Sequence, residues 1–300
     1  MKYQFIQQQS LEFPIEKLCS VMQLSRSSYY DFNNNISYQI STDAKHQMDQ
    51  IKQVFDNHKG RYGSRRIKKE LESKNELKIG RRKISRILKV QNLKAIQPKS
   101  FVPKTTDSKQ TKKPAPNLLK GIETISRPGE VWVGDITYIG LETAEWAYLA
   151  SWIDIYHHKV VGWEVQNHMR AELIIQAFVK AKIRCGTSIY GLIVHSDQGG
   201  QYNSKEFKKM LKDNSCKQSM TSQGEVYDNA IAESFFARLK CELIHQRKFN
   251  SLEELRSSLF EYIDGYYNTI RLHSSLGYKA PSEFEKMYYQ KIKQNDKAIG

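Results

Sequence analysis

Cysteine is scarce in this chain of 300 residues, and the four present (Cys19, Cys185, Cys216 and Cys241) never share a C-x-x-C spacing. That excludes a disulfide framework and a zinc finger; free, mostly buried thiols are expected. No apolar run approaches the ~20 residues of a bilayer-spanning helix. The opening Met1-Lys2-Tyr3-Gln4-Phe5 runs into glutamine and serine, not into an apolar signal core. The expected location is the cytoplasm, at the nucleoid, with no membrane partner. Acid is short in the first 120 residues, with 10 Asp and Glu against 25 Lys and Arg. The remaining 180 carry 22 of each sign, so the whole formal charge of +15 sits in the first two-fifths. Such asymmetry points to a polyanion-binding N-terminal region joined to a neutral globular part. Lysine and arginine gain affinity for DNA or RNA by releasing counterions from phosphates.

Apolar residues make up 39% of the chain, with 17 Tyr, 12 Phe and 4 Trp. That is enough for a real core and excludes global disorder. Residues 1–40 form a small helix-turn-helix-like segment, with a short helical pair over 14–32: Ile15, Leu18, Cys19 and Met22 lie on one stripe and a Ser-rich helix start follows Leu24. Residues 41–96 hold two basic amphipathic helices after the loop His58-Lys59-Gly60-Arg61-Tyr62-Gly63. The first buries Ile67 and Leu71 and exposes Arg65, Arg66, Lys68 and Lys69. The second buries Ile84, Ile87 and Leu88 and exposes Arg81, Arg82, Lys83 and Arg86. This fits a helix-turn-helix whose second helix enters the major groove of double-stranded DNA. Residues 97–129 read as a basic linker, broken by Pro98, Pro103, Pro114 and Pro116. It is either a strap along a DNA backbone or a tether.

From residue 130 the pattern changes. Three strand-like runs, 131–139, 147–154 and 160–165, follow one another with short connections and predict an antiparallel meander. A helix from Ala171, a short buried strand ending at Asp197, a helix capped by Ser204, a short strand near 217–220 and a helix capped by Asp228 follow. The expectation is an α/β core over 130–245 with a mixed five-stranded sheet. Residues 246–300 add a helical extension opened by the capping box Ser251-Leu252-Glu253-Glu254. Trp132, Trp146, Trp152 and Trp163 are expected in the core. Asp154 is expected at the surface or as a cap, and His195 as a strand residue satisfied by backbone.

Three acids sit where acids are costly or useful. Asp135 falls mid-strand with the parity of Val131 and Val133, and an unpaired charge there is expensive to bury. Asp197 ends a buried strand at the loop Gln198-Gly199-Gly200-Gln201-Tyr202, where α/β sheets bind ligands. Glu233 shares a helix line with Ala237 and Lys240. Converging carboxylates repel one another, and divalent cations remove that penalty through hard oxygen ligands. Two such ions, about 4 Å apart, serve phosphoryl transfer by activating a water or a 3′-hydroxyl and stabilising the leaving oxygen. The chain holds 32 acids, so the contexts carry more weight than the triple itself. Tyr202, beside two glycines, is a candidate to stack on a base.

Those contexts are specific. Trp132-Val133-Gly134-Asp135-Ile136-Thr137-Tyr138, His195-Ser196-Asp197-Gln198-Gly199-Gly200-Gln201-Tyr202 and Asp228-Asn229-Ala230-Ile231-Ala232-Glu233 through Lys240 resemble second-frame (OrfB) transposases. These belong to the IS-three family of insertion sequences, in the retroviral-integrase-like DDE superfamily. Thirty-five residues separate Asp197 from Glu233, the spacing that names the family's triad. The basic segment Arg61-Tyr62-Gly63-Ser64-Arg65-Arg66-Ile67 matches too, as do Tyr267-Asn268, Arg271, His273 and Pro281. The resemblance implies an RNase H-like core binding Mg2+ or Mn2+ as two ions through Asp135, Asp197 and Glu233, with Lys240 on the DNA end. It implies hydrolysis at element ends and transesterification into a target. It also implies homo-oligomers and fusion or partnership with an upstream-frame helix-turn-helix and leucine-zipper protein, a segment this sequence does not show. A DNA-binding regulator on a dead nuclease fold and a nuclease without strand transfer are the rival readings.

Overall fold

A computed structural model describes residues 1–34, 41–74, 76–98, 114–186, 188–221 and 229–299, with side chains through 296. The chain forms two compact units, Met1–Ala95 and Ile96–Gly300.

In the first unit, α1 (Lys2–Gln9), α2 (Ile15–Val21) and α3 (Arg26–Asn33) close around Ile6, Cys19 and Tyr29. The helix α1 is additional to the expected pair. Next come α4 (Thr42–Asn57), α5 (Ser64–Lys74) and α6 (Arg81–Val90), each packed on the other two. Ser41 caps α4 by accepting from the Ala44 N–H. Ile51, Val54, Tyr62, Ile67, Leu71, Ile84 and Leu88 are buried. An acid lies inside as well. Glu70 is buried on α5, where His58 Nε2 meets Oε2 at 2.7 Å and Lys74 Nζ reaches Oε1 at 2.9 Å. The ring of His58 also stacks on Tyr62, with centroids 3.6 Å apart.

In the second unit, β1 (Val131–Gly140), β2 (Trp146–Asp154) and β3 (Val160–Gln166) form the expected meander. The strands β4 (Ile193–Ser196) and β5 (Lys217–Met220) then add in parallel on the far side of β1. The sheet order is β3-β2-β1-β4-β5, a mixed five-stranded sheet of RNase H-like type. Helix α7 (Ala171–Cys185) packs on β2 and β3, and α8 (Lys205–Asp213) packs on α7 and β5. Even-numbered β1 residues face this side, where Trp132 joins Trp152, Phe178 and Phe207 in the core. Helix α9 (Ala230–Glu242) packs on β1 and β2. Asn229, not Asp228, precedes its first turn; Asp228 lies outside the described residues.

The expected linker behaves in two ways. Residues 99–113 lie outside the described residues. Beyond them, Leu118 donates its N–H to Ser219 Oγ at 2.9 Å, and Met220 donates its own to the Pro116 carbonyl at 3.3 Å. This stretch is fastened along β5 rather than strung loose, because the outer edge of a sheet offers unpaired backbone groups.

At the C-terminal side, α10 (Leu252–Phe260) is capped by Ser251 and runs into a π-type segment, Glu261–Tyr267. The Asn268 amide then pairs with β3, accepting from Val160 N–H at 2.9 Å and donating to Val160 carbonyl at 3.0 Å. A last helix, α11 (Pro281–Ile299), lies within the span expected to be a helical extension. Proline at a first helical position is its signature.

Candidate active site

The parallel register of β1 with β4 sets the site. Val133 pairs with His195 and Gly134 with Ser196. The next residue on each chain is an aspartate, so Asp135 and Asp197 stand level, one mid-strand and the other just past the strand end. Two glycines make this possible. A Cβ on Gly134 would fall 2.3 Å from the Trp152 ring, so only glycine admits that indole beneath the strand. A Cβ on Gly199 would fall 2.9 Å from Asp197 Oδ1, the atom that accepts the Gly199 N–H at 2.9 Å.

Burial is the main force on both carboxyls, and it favours the proton. Asp135 is pushed up to about 7 by burial and then by the charge of Asp197, against the Ile136 N–H; Glu233 adds repulsion and Lys240 opposes it. Asp197 is also raised by burial, against the Gly199 N–H. The repulsion belongs to the pair, so the proton retained near neutrality is a property of the dyad. Each carboxylate uses Oδ1 for one backbone N–H. Neither Oδ2 has a hydrogen-bond or ion-pair partner among the described residues.

Glu233 sits in the first turn of α9, exposed, immediately after residues 222–228, which are outside the described set. Its charge reaches Asp135. Yet among the described residues no three His, Cys, Asp or Glu side chains are gathered tightly enough to hold one ion. The arrangement is a close aspartate pair with the glutamate at longer range.

Lys240, two turns along α9, places Nζ 5.2 Å from the centre of the Tyr138 ring, and its charge also acts on Asp135. Burial lowers the ammonium's affinity for its proton, and Asp135 works against that. His195 is locked by side chains rather than by backbone alone. Its Nδ1 meets Ser219 Oγ at 2.8 Å and its Nε2 meets Thr221 Oγ1 at 3.2 Å.

Three readings of side chains need correction. Tyr202 is 2% exposed, with its ring edge-on to Trp152 and Phe207, so it offers no face to a base. The loop is polar in sequence, but its backbone turns the ring under α8. Trp146 is not in the core: it is half exposed at the start of β2, with its ring edge-on to Tyr138. Asp154 is not at the surface. It is buried and accepts from Gly129 N–H, Trp132 Nε1 and Tyr156 N–H, holding the turn between β2 and β3.

The DNA-facing candidates in the first unit separate into two groups. On α6, Arg81, Arg82, Lys83 and Arg86 are exposed and make no ion pair among the described residues. Of the other group, Arg65 is exposed, while Arg61 and Arg66 are half-buried and Arg66 lies over the Tyr62 ring at 5.6 Å. Lys68 and Lys69 are engaged by Glu72.

Comparison with known proteins adds the lineage. Integrase core domain families match residues 125–225 and 214–281, and an HTH-like domain family matches residues 42–101. The transposase of insertion sequence element IS904 from Lactococcus lactis is 38% identical over 79% of this chain and 92% of its own length. Transposase InsF of insertion sequence IS3A from Escherichia coli is 35% identical over 95% of this chain and 98% of its own. Among solved structures, the HTLV-2 integrase catalytic core domain in complex with magnesium gives a TM-score of 0.40 at 17% identity, covering 53% of this chain and 97% of that one. With its integrase core and HTH-like region, the chain belongs to the OrfB-type transposases of the IS3 family, which are polynucleotidyl transferases.

Proposed function

We propose that Asp135, Asp197 and Glu233 are the catalytic and metal-holding carboxylates of a DDE transposase that cuts the ends of its element and joins them to target DNA. The observation that carries this is the carboxyl of Asp135, buried beside Asp197 with the charge of Glu233 also bearing on it and the Lys240 ammonium opposing them. Hard oxygen donors, unpartnered Oδ2 atoms and mutual repulsion suit a divalent cation, Mg2+ or Mn2+, in two copies. Bound there, such ions supply charge neutralisation and Lewis-acid polarisation of a phosphodiester.

The chain's own groups do the rest. Asp135 and Asp197 present their oxygens at one level from adjacent strands, so they fix the spacing of whatever they bind. Gly199 keeps the approach over Asp197 clear of a side chain. Lys240 offers an ammonium to a backbone phosphate next to the dyad. Arg81, Arg82, Lys83 and Arg86, with Arg61, Arg65 and Arg66, supply the duplex contacts of the first unit. The partners are double-stranded DNA of element end and target, further copies of the chain, and the upstream-frame protein of the same element.

The test is a strand-joining assay with the terminal repeats that flank the gene. Wild type is expected to join ends only with Mg2+ or Mn2+. Asp135→Asn, Asp197→Asn and Glu233→Gln are each expected to stop joining while binding the ends normally. Joining retained by all three variants refutes the assignment.

A further inference from the structure

We propose that Trp146 and Tyr138 form a stacking platform for an unpaired base of the DNA strand lying at the aspartate dyad; this rests on the DNA-joining reading above. Trp146 and Tyr138 are 51% and 60% exposed, whereas the other three tryptophans are 5% exposed or less. The two rings meet edge to face at 5.2 Å and 80°. Large aromatic area left in water forgoes the burial that usually holds such rings.

Part of the arrangement has a plain structural use. Trp146 lies across the β1–β2 ladder from Gly140, and a Cβ there would stand 3.6 Å from its Cζ3. Covering a glycine in this way supports a sheet. It accounts for one edge of the indole and leaves the exposed half, and the lysine, without a purpose.

The lysine gives the surface its second half. Lys240 Nζ stands 5.2 Å from the Tyr138 ring centre, and the same ammonium acts on Asp135. Single-stranded DNA is held by this combination: a cation for the backbone, an aromatic face for the base. The strand path fits as well. The β4 pairing stops at Gly134–Ser196, so β1 from Asp135 to Gly140 has no β4 neighbour. This edge of β1 carries Asp135 on one face and Tyr138 on the other, so a DNA strand whose phosphate reaches Lys240 has to cross the unpaired edge to bring a base to the two rings. The occupant is an unpaired base, because a paired one keeps both faces within the duplex stack.

The experiment uses the full chain, in EDTA, with a short single-stranded oligonucleotide carrying one fluorescent aminopurine. Stacking on an indole is expected to quench the aminopurine. Trp146→Ala is expected to abolish that quench and to weaken oligonucleotide binding about 5- to 160-fold, the range of base–aromatic contacts. Trp146→Phe is expected to keep most of the binding while losing most of the quench, which separates loss of a stacking face from loss of the fold. In wild type, bound oligonucleotide is expected to shield the one exposed indole from iodide. Unchanged quench in Trp146→Ala, or an indole still open to iodide at saturation, overturns the platform. Joining by wild type alongside either result would sink the platform alone; quench without joining would sink the catalytic reading alone.

Discussion

Arg271 grips Glu242 with one edge of its guanidinium, Nε at 2.9 Å from Oε2 and Nη2 at 2.5 Å from Oε1. Both are buried, and Tyr262 donates its hydroxyl to the same carboxylate at 2.9 Å. Glu242 ends α9, the helix that carries Glu233 and Lys240. The C-terminal segment therefore holds the far end of the helix that supplies a candidate catalytic carboxylate.

Arg271→Ala leaves a buried carboxylate with the Tyr262 hydroxyl but without its cation, which costs about 3–5 kcal/mol. Urea unfolding should show a loss of that size. Arg271→Lys should recover only part, since an ammonium lacks the planar fork. A loss under about 1 kcal/mol would show that the tail is held by other contacts.

Asp135 couples stability to pH. Folded, it keeps its proton up to about 7; unfolded, an aspartate releases it near 3.9. Between those values the folded chain binds more protons, so without divalent ions stability falls as pH rises, and levels off above about 7. Asp135→Asn should flatten that slope and be more stable than wild type at pH 8, by on the order of 4 kcal/mol. Mg2+ should raise the wild-type melting temperature more than the variant's. Parallel melting curves for the two proteins across pH 5–8 would contradict this.

Gly134→Ala forces a methyl against the Trp152 ring. Overpacking of this kind costs about 1–3 kcal/mol, and here it also displaces the residue before Asp135. Joining should fall together with stability. Adding Trp152→Leu should restore joining if the clash is the cause.

Tyr202 buries a hydroxyl with no hydrogen-bond partner among the described residues. Tyr202→Phe should be neutral or gain about 1 kcal/mol, with DNA affinity unchanged. A marked loss of stability would reveal a partner for that oxygen.

Arg81→Ala, Arg82→Ala and Arg86→Ala together should weaken duplex binding. Each phosphate contact removed should lower the slope of log affinity against log salt by about 0.9. An unchanged slope would take α6 off the DNA.

The strand pattern of the second unit was legible because alternation, glycine and strand-ending polar residues mark a half-covered sheet. Asp135 and Asp197 stood out because an acid inside an apolar strand demands an explanation. Buried pairs were not legible. Glu70 meets His58 and Glu242 meets Arg271 across distances in sequence that helical periodicity does not reach. Tyr202 and Trp146 exchanged places for a similar reason: polarity of neighbours says little about which helix lies overhead. Within the expected helical extension, α11 had no stripe of its own to mark it, because its exposed Met287, Tyr289 and Ile292 blur a buried face.

The ladder that pairs Val131–Gly134 with Ile193–Ser196 also determines where this chain tolerates changes of length. A strand advances about 3.3 Å per residue and alternates sides. One inserted residue between 131 and 135 would turn a carboxylate to the opposite surface; two would slide it nearly 7 Å. The turn at 141–145 carries no such penalty. A scan of single-codon insertions scored for joining should therefore give a short forbidden stretch at 131–135 followed by a silent turn at 141–145.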